Sequence, residues 1–430
     1  MYTNLFSTKT AVSLHSARSI LAAFLTLSFL IAPLASYAKG GGDGGGGGGG
    51  AGVTCTFTGD VSSDWAVAGN WSCGHVPTES DFVVIPNTET AESSALGAVG
   101  TTLEIQMGGS LTVSGGTLTI GNTIEIQMGG SLTVSGGTLT IGNTITNAGL
   151  FTSTGGTTTA STGGITNSGG MALNGGTLSS GLNSFTNSGT INGSGAGAIL
   201  EAGFLGNLPG GIINHTGGWQ IRAGSGGFTN MGTYNSTADD SIFRFTGSGS
   251  AVPTTVTYPN LEFGGSISPS DNSRFVAHGD IALLTGLIFT ANSSTFVLSG
   301  NWTAEAATAI SNNHTTVEFT GSATSTLTAD PGGAAFYDIK VNKAAVDKGV
   351  MLLSDAMATH ALVMTKGIFD YNGYTLFLPE SCTFVGGSTP SWGMPANWSC
   401  AGAARLPNVI DTVTIPNGKS PVLSSLVTRV

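Results

Sequence analysis

An unbroken tandem copy is the feature that most limits how this chain can fold. Residues 104–124 read EIQMGGSLTVSGGTLTIGNTI, and residues 125–145 repeat them letter for letter. Twenty-one extra residues would disrupt an ordinary core, but they are accommodated when they form one whole unit stacked on an identical neighbour. A fixed period near 20 residues is therefore typical of a solenoid.

Within one copy, the apolar residues come in pairs with one residue between them, and this period of two indicates β-strands. The segments between the pairs, GGS, SGGT and GNT, have the composition of tight turns. Three short strands per unit become buried only by stacking, which predicts an all-β fold: a right-handed parallel β-helix (β-solenoid) with coils of about 20 residues. The pairs are Ile105 with Met107, Leu111 with Val113, and Leu118 with Ile120.

An asparagine recurs at one position of the coil beyond the tandem copy. The steps are 20, 20, 20 and 23 residues, and most copies lie in the pattern Ile/Phe-Thr-Asn-x-Gly. A single Asn-x-Gly is an ordinary turn, but a near-constant register predicts a ladder in which each amide hydrogen-bonds to its neighbours. The predicted ladder consists of Asn147, Asn167, Asn187, Asn207 and Asn230.

The charge of the chain is negative and unevenly distributed. The formal net charge is −11, only 9% of the residues are charged, and glycine accounts for 68 of 430 residues. Between Lys39 and Arg222 there is no Lys or Arg, whereas ten acidic residues fall in that stretch. Such a surface would repel a phosphate backbone, so the sequence argues against nucleic-acid partners.

The N-terminus has the pattern of a secretory signal. Lys9 and Arg18 precede an apolar run from Ile20 to Leu34, and Ser36-Tyr-Ala38 has the small residues of a cleavage site. Cleavage after Ala38 would release a secreted or cell-surface protein with no membrane span in the mature chain; an uncleaved anchor is the alternative.

The four cysteines form two matching pairs. Cys55 and Cys73 lie 18 residues apart, as do Cys382 and Cys400, and each pair shares Cys-Thr-Phe, Asn-Trp-Ser-Cys and Ile-Pro-Asn strings with the other. In an exported chain, each pair is predicted to form a disulfide. Zinc is the rival interpretation, but it needs more ligands than His75 can add. Two Trp per module favour a plug at a solenoid end, with a sugar-binding platform as the alternative.

A longer, weaker repeat marks the second half. Phe245-Thr-Gly-Ser recurs from Phe319, Tyr258–Phe263 resembles Phe336–Val341, and Gly367–Leu378 has two strand patterns around an Asn-Gly turn. These patterns predict further coils with larger loops. The predicted segments are a signal peptide (1–38), a poly-Gly linker (39–52), a first Cys/Trp module (53–100), regular coils (101–240), less regular solenoid repeats (241–380) and a second Cys/Trp module (381–430).

The chain resembles bacterial secreted parallel β-helix surface proteins of the autotransporter and filamentous-adhesin type. The resemblance is carried by the N-x-G coil motif, the W-x(4)-N-W module and the G-x-L-D-x-x-G-Y-x-L-like segment. The resemblance implies a long stalk that displays binding surfaces. Because no membrane-barrel domain or sorting tail is recognised, we expect a fragment or an unusually short member of that class.

The sequence contains few candidates for chemistry. Neither HExxH nor GxSxG is present, and no metal or cofactor is predicted. Asp239-Asp240 and His278-Gly-Asp280 leave one alternative, a polysaccharide hydrolase or lyase, in which paired carboxylates act as acid and base. We expect instead a non-enzymatic protein whose partners are glycans, extracellular matrix polymers or other surface proteins. Five histidines are expected at the surface or in turns rather than as ligands: His75, His215, His278, His314 and His360.

Overall fold

The chain forms a parallel β-solenoid of about 13 turns, each of roughly 21 residues, so the predicted fold class is confirmed. The predicted signal peptide and the poly-Gly linker before Gly52 lie outside the residues that this computed structural model describes. Those residues are 52–248, 252–267, 272–285, 288–290, 293–305, 309–311, 315–329, 335–386, 391–401, 406–407, 411–416, 419 and 421.

The first half of the solenoid has three strands per coil, and each strand pairs in parallel with its counterpart one coil away. From β12 onwards, some strands bend across a corner and contribute to two faces. The strands are β1 (Thr54–Thr56), β2 (Phe82–Ile85), β3 (Thr90–Ser93), β4 (Leu96–Gly100), β5 (Thr102–Ile105), β6 (Ser110–Val113), β7 (Thr117–Ile120), β8 (Ile124–Ile126), β9 (Ser131–Val134), β10 (Thr138–Ile141), β11 (Thr144–Asn147), β12 (Leu150–Ala160), β13 (Gly164–Asn167), β14 (Gly170–Ser179), β15 (Ser184–Asn187), β16 (Thr190–Gly193), β17 (Ile199–Asn207), β18 (Ile212–His215), β19 (Gln220–Asn230), β20 (Thr233–Ser236) and β21 (Ile242–Phe245).

The two identical copies lie directly on top of each other. Leu111 of β6 is opposite Leu132 of β9, and Leu118 of β7 is opposite Leu139 of β10. All four side chains are fully buried, whereas the threonines between them face outward. Because each copy buries its apolar residues only against its neighbours, the core is a column that runs along the stack.

The prediction that Met107 faces the core is wrong. Met107 is 59% exposed, and its equivalent Met128 is 75% exposed, so neither belongs to the core. The first strand ends at Ile105, and its inward pair is Leu103 with Ile105. The alternation of apolar residues in the sequence runs one step past the end of the strand, to Met107. The chain turns at Gly108, which has a φ of 81°, so Met107 lies in the corner and not in the strand.

A second corner explains the repeated Gly-Gly pairs. The second glycine of each Gly-Gly pair is stacked on the second glycine of the pair in the preceding coil. The four stacked glycines have positive φ, between 59° and 69°. A Cβ at Gly137 would lie 2.6 Å from the carbonyl oxygen of Gly116. Glycine is required there both by the backbone conformation and by the close approach of adjacent coils. These stacked glycines are Gly116, Gly137, Gly156 and Gly176.

The second half continues the stack with strands that also form three parallel sheets. The strands are β22 (Thr257–Tyr258), β23 (Asn260–Phe263), β24 (Ser266–Ile267), β25 (Arg274–Ala277), β26 (Ile281–Leu283), β27 (Ile288–Thr290), β28 (Thr295–Leu298), β29 (Trp302–Ala304), β30 (Ala309–Ser311), β31 (Thr316–Phe319), β32 (Ser325–Thr328), β33 (Ala335–Asn342), β34 (Gly349–Leu352), β35 (Ala356–Lys366), β36 (Ile368–Asp370) and β37 (Leu376–Phe377).

The longer repeat that the sequence suggested in this half is not a structural repeat. Phe245 lies in β21 and Phe319 in β31, and these strands belong to different sheets. The segment at the Asn372-Gly373 turn is also not a hairpin, because β36 pairs with β34 and β37 pairs with β35, both in parallel. The real repeat remains the single coil, and the similarities reflect shared strand and turn composition.

The two Cys/Trp modules differ in how they join the solenoid. The core of the first module, including Trp65 and Trp71, is continuous with the core of the coils. The second module contains β38 (Ser381–Phe384), β39 (Trp398–Cys400) and β40 (Thr412–Thr414), and its buried residues form a separate cluster. The described helical segments are 3₁₀ turns at Ala68–Asn70 and Pro395–Asn397. No helix of the described ranges has the length and apolar character of a membrane span.

Deleting one whole copy, residues 125–145, is expected to leave a folded solenoid that is one coil shorter. The new neighbours would meet the same surfaces because the two copies are identical. Deleting residues 125–134 instead removes about half a coil and should abolish cooperative unfolding, since every later strand would lose its register. Thermal unfolding followed by circular dichroism compares the two; equal damage would contradict the one-coil unit.

Candidate functional site

A cleft of about 590 Å³ lies on the outer face of the second half, where β21, β23, β26 and β29 are adjacent. Its lining is acidic, and it includes three of the carboxylates that the sequence singled out. The lining residues are Ala238, Asp239, Asp240, Ile242, Asn260, Leu261, Glu262, Gly279, Asp280, Ile281, Ala282 and Thr303.

Asp239 is held by the turn in which it lies. One carboxylate oxygen accepts hydrogen bonds from the Gly217 amide (2.6 Å) and the Thr237 hydroxyl (2.8 Å), and the other accepts one from the Ser241 amide (2.8 Å). Burial raises the pKa of Asp239, but the hydrogen bonds from Ser241, Gly217 and Thr237 outweigh it and leave the pKa below its usual value. The group is therefore an ionised acceptor, which suits binding or a base better than a proton donor.

Asp280 is held in a similar manner two coils further on. Its Oδ1 accepts from the backbone amide of Asn301 at 2.7 Å, and its own amide donates to Asn260 Oδ1 at 2.7 Å. The side-chain amide of Asn260 in turn donates to the carbonyl oxygen of Asp239 at 2.8 Å. Asn260 thus connects the two aspartate turns and fixes their relative position.

Asn260 and Asn301 were missed in the sequence, although a signal for them exists. Asp239, Asn260, Asp280 and Asn301 follow one another at steps of 21, 20 and 21 residues, the period of the coil. They form a second polar column at a corner, in which amides and carboxylates link consecutive coils. A search for Asp as well as Asn at the coil period would have found it.

The two remaining carboxylates of the cleft differ in their partners. Glu262 Oε2 accepts a hydrogen bond from Arg244 Nε at 2.5 Å and forms an ion pair with Nη2 at 2.5 Å, so its charge is paired. Asp240 is exposed and makes no hydrogen bond or ion pair with any residue that the structure describes. The cleft therefore offers one free carboxylate beside three that are already engaged, which suits contacts with hydroxyl or ammonium groups.

The predicted asparagine ladder lies inside the solenoid. Each side-chain amide donates to the Oδ1 of the next asparagine, at 2.7 Å for Asn147 to Asn167, 2.7 Å for Asn167 to Asn187 and 2.8 Å for Asn187 to Asn207. Asn207 continues the series to Asn230 at 2.7 Å. The first four are fully buried, and their amides also reach backbone carbonyls at the corner, as at Gly170.

The ladder has a definite beginning. Asn147 is opposite Ile126 in the preceding coil, and its Oδ1 has no hydrogen-bond partner. An isoleucine in that column fills the same space without supplying a donor. The ladder is therefore a property of the coils after the tandem copy, and the tandem copy itself uses an apolar column at this corner.

Replacing Asn187 with Leu is expected to lower the free energy of unfolding by about 2 kcal/mol, because it leaves polar groups of Asn167 and Asn207 buried without their partner. Asn192 is the matched control, since it also accepts from an asparagine one coil away but is exposed. Asn192→Leu should change the unfolding free energy by less than about 1 kcal/mol. Similar losses in urea titrations of the two variants would contradict a buried ladder.

Both predicted disulfides are present. Cys55 and Cys73 are bonded, as are Cys382 and Cys400, and the Cα atoms are 5.0 and 4.0 Å apart. The zinc interpretation is wrong for these pairs, since bonded sulfurs cannot act as thiolate ligands. The two tryptophans of the first module are buried against each other with ring centroids 4.8 Å apart, which does not leave them free as a sugar platform.

His215 contradicts the expectation that the histidines lie at the surface or in turns. It ends strand β18, is fully buried, and lies 3.1 Å by Nε2 from the Trp219 carbonyl and 2.6 Å by Nδ1 from the Tyr234 hydroxyl. Because a carbonyl can only accept, Nε2 carries the proton and Nδ1 accepts from Tyr234. Burial is the main cause that lowers the pKa of His215 to about 4.

The other histidines are outside the core or outside the described residues. His278 is exposed next to the cleft, His75 lies 3.1 Å from Asp81, and His360 lies 2.7 Å from Asp338. His314 is not among the described residues.

These features define a parallel β-solenoid with a disulfide module at its start and a column of polar residues at two corners. Residues 56–162 match the model of a family described as a domain of unknown function (DUF8693), a span that runs from the first module to the end of β12. No curated protein and no solved structure shows significant similarity to the chain.

Proposed function

We propose that the mature chain is a secreted or cell-surface structural protein of the autotransporter and filamentous-adhesin type, which displays binding surfaces without catalysing a reaction. The observation that supports this most is the outer face of the coils, where polar side chains recur in register. Asn214 donates to Asn192 at 2.6 Å, and Asn235 donates to Asn214 at 2.8 Å, so these amides form an ordered outer row. Such rows supply regularly spaced donors and acceptors for a polymer of hydroxyl groups.

The acidic cleft supports the same proposal. Its engaged carboxylates are fixed by backbone amides and by Arg244, and the pKa of Asp239 lies below its usual value. A glycoside hydrolase needs one carboxyl group that remains protonated as the general acid. Asp239 is poorly suited to that role, whereas a fixed row of acceptors suits the binding of glycans or matrix polymers.

A hydrolase or lyase remains the second candidate because Asp239, Asp240 and Asp280 lie in one cleft. The purified protein should be incubated with pectin, alginate and chitosan, and both retention on the polymer and new reducing or unsaturated ends should be measured. Retention without new ends is the expected result.

The variants Asp239→Asn and Asp240→Asn distinguish the two candidates, with Asp60→Asn as a control at an exposed carboxylate of the first module. New chain ends that disappear in either cleft variant but not in the control would establish the enzyme. Failure to be retained on any polymer would contradict a glycan-binding role and leave only a structural one.

A further inference from the structure

The two Cys/Trp modules have the same interior, contact by contact. Trp71 Nε1 donates to the Trp65 carbonyl at 2.8 Å, and Trp398 Nε1 donates to the Trp392 carbonyl at 2.9 Å. The ring centroids within the two tryptophan pairs are 4.8 and 4.6 Å apart, with interplanar angles of 69° and 68°. The second module is therefore a copy of the first in structure as well as in sequence.

The strands of the two modules also pair in the same register. Cys55 of β1 is opposite Val83 of β2, and Cys382 of β38 is opposite Val413 of β40. Asp81, directly before β2, accepts a hydrogen bond from the amide of Val53 at 3.0 Å. Asp411, directly before β40, accepts the equivalent bond from the amide of Glu380 at 3.0 Å. The strand β40 thus corresponds to β2 residue by residue.

What covers this strand differs between the modules. In the first module, β2 is followed by the parallel coil strand β5, and Val83 and Ile85 are at most 1% exposed. In the second module, Val413 is 37% and Ile415 is 44% exposed, and among the described residues β40 pairs only with β38. Two apolar side chains that the first module buries under a coil are therefore open in the second.

The separate cores of the described residues argue against the second module as a plug for the preceding coils. Its buried residues form their own cluster, unconnected with the core of the preceding coils. A plug that closed the end of those coils would share their core, as the first module does with the coils after it.

We propose that the second module is the starting cap of another solenoid stack, and that the open edge of β40 is the acceptor for a parallel coil strand following Ile415 in the same polypeptide. The required strand is of the type found in β5, where Thr-Leu-Glu-Ile places two apolar residues inward. Backbone hydrogen bonds to the free edge would supply affinity, and the alternating apolar residues would supply register. This inference is independent of the proposed function.

The test supplies such a coil. A chimeric chain would contain residues 1–415 followed by a second copy of residues 86–146, the segment that follows Ile85 in the first module. Amide hydrogen exchange at Thr412–Thr414 is expected to slow about tenfold or more relative to the parent chain, since an open edge becomes a paired strand. The grafted segment should also resist thermolysin; trypsin is uninformative because residues 86–146 contain no Lys or Arg.

Two substitutions within the chimera make the result specific to the proposed face. Ile415→Asp should remove the protection, whereas Thr414→Asp, which alters the alternate face of the strand, should retain it. A graft that is cleaved rapidly and leaves exchange at β40 unchanged, while the preceding coils melt as in the parent, would overturn the proposal. Equal behaviour of the two substitutions would also overturn it.

Discussion

Replacing Leu111 with Asp is expected to unfold the regular coils. Leu111 is fully buried between Ala91 of the preceding coil and Leu132 of the next. The variant would remove apolar contacts and place a carboxylate in a column that offers it no cation. The expected loss is roughly 4 kcal/mol or more in the free energy of unfolding, a large part of the stability of a typical domain.

The neighbouring Thr112 provides the control, because it lies on the same strand and faces outward. Thr112→Asp should change the free energy of unfolding by less than about 1 kcal/mol. Guanidinium titrations followed by circular dichroism would measure both. Comparable losses in the two variants would show that the period of two does not define the core.

Acidification from pH 6.5 to about 4 is expected to remove roughly 3 kcal/mol of stability through His215 alone. The folded state holds this imidazole neutral, so its pKa lies near 4, against 6.5 for the unfolded chain. As the pH falls through this window, the unfolded chain binds the proton first and is favoured. The contribution is complete above pH 6.5 and is lost as the pH approaches 4.

The variant His215→Gln isolates this effect from the titration of carboxylates in the same range. Its free energy of unfolding is expected to be lower than that of the parent at pH 7 but to depend less on pH between 6.5 and 4. His278→Gln serves as the control, because His278 is exposed, and should retain the pH dependence of the parent. An unchanged pH dependence in His215→Gln would refute the assignment.

The sequence was sufficient to predict the coil because its period is long and its copies are identical. It failed at Met107, where the alternation of apolar residues continues into a corner. Periodicity describes which residues alternate, but it does not mark where the strand ends and the turn begins. Leu103 lies inside the strand and is buried, whereas Met107 lies beyond the end of the strand at Ile105 and is exposed.

The residues missed in the sequence depend on stacking between coils. His215 is isolated in the sequence, yet coil stacking brings the hydroxyl of Tyr234 within 2.6 Å of its ring. Lys343 is similarly buried, with Nζ 2.6 Å from both the Thr320 carbonyl and the Ser325 hydroxyl, and burial lowers its pKa to about 8. A lone polar residue has no periodic signal, so its partners become visible only when the coils are placed on each other.

The identity of the two copies also affects how the chain finds its register during folding. Because β6 and β9 have the same residues, β3 meets the same strand whether it pairs with β6 or, wrongly, with β9. The wrong pairing loops out one coil, and the entropic cost of closing a longer loop grows only slowly with its length. Two adjacent segments thus compete for one partner. Removing one of them eliminates this competition, and the chain that lacks residues 125–145 should refold faster than its parent.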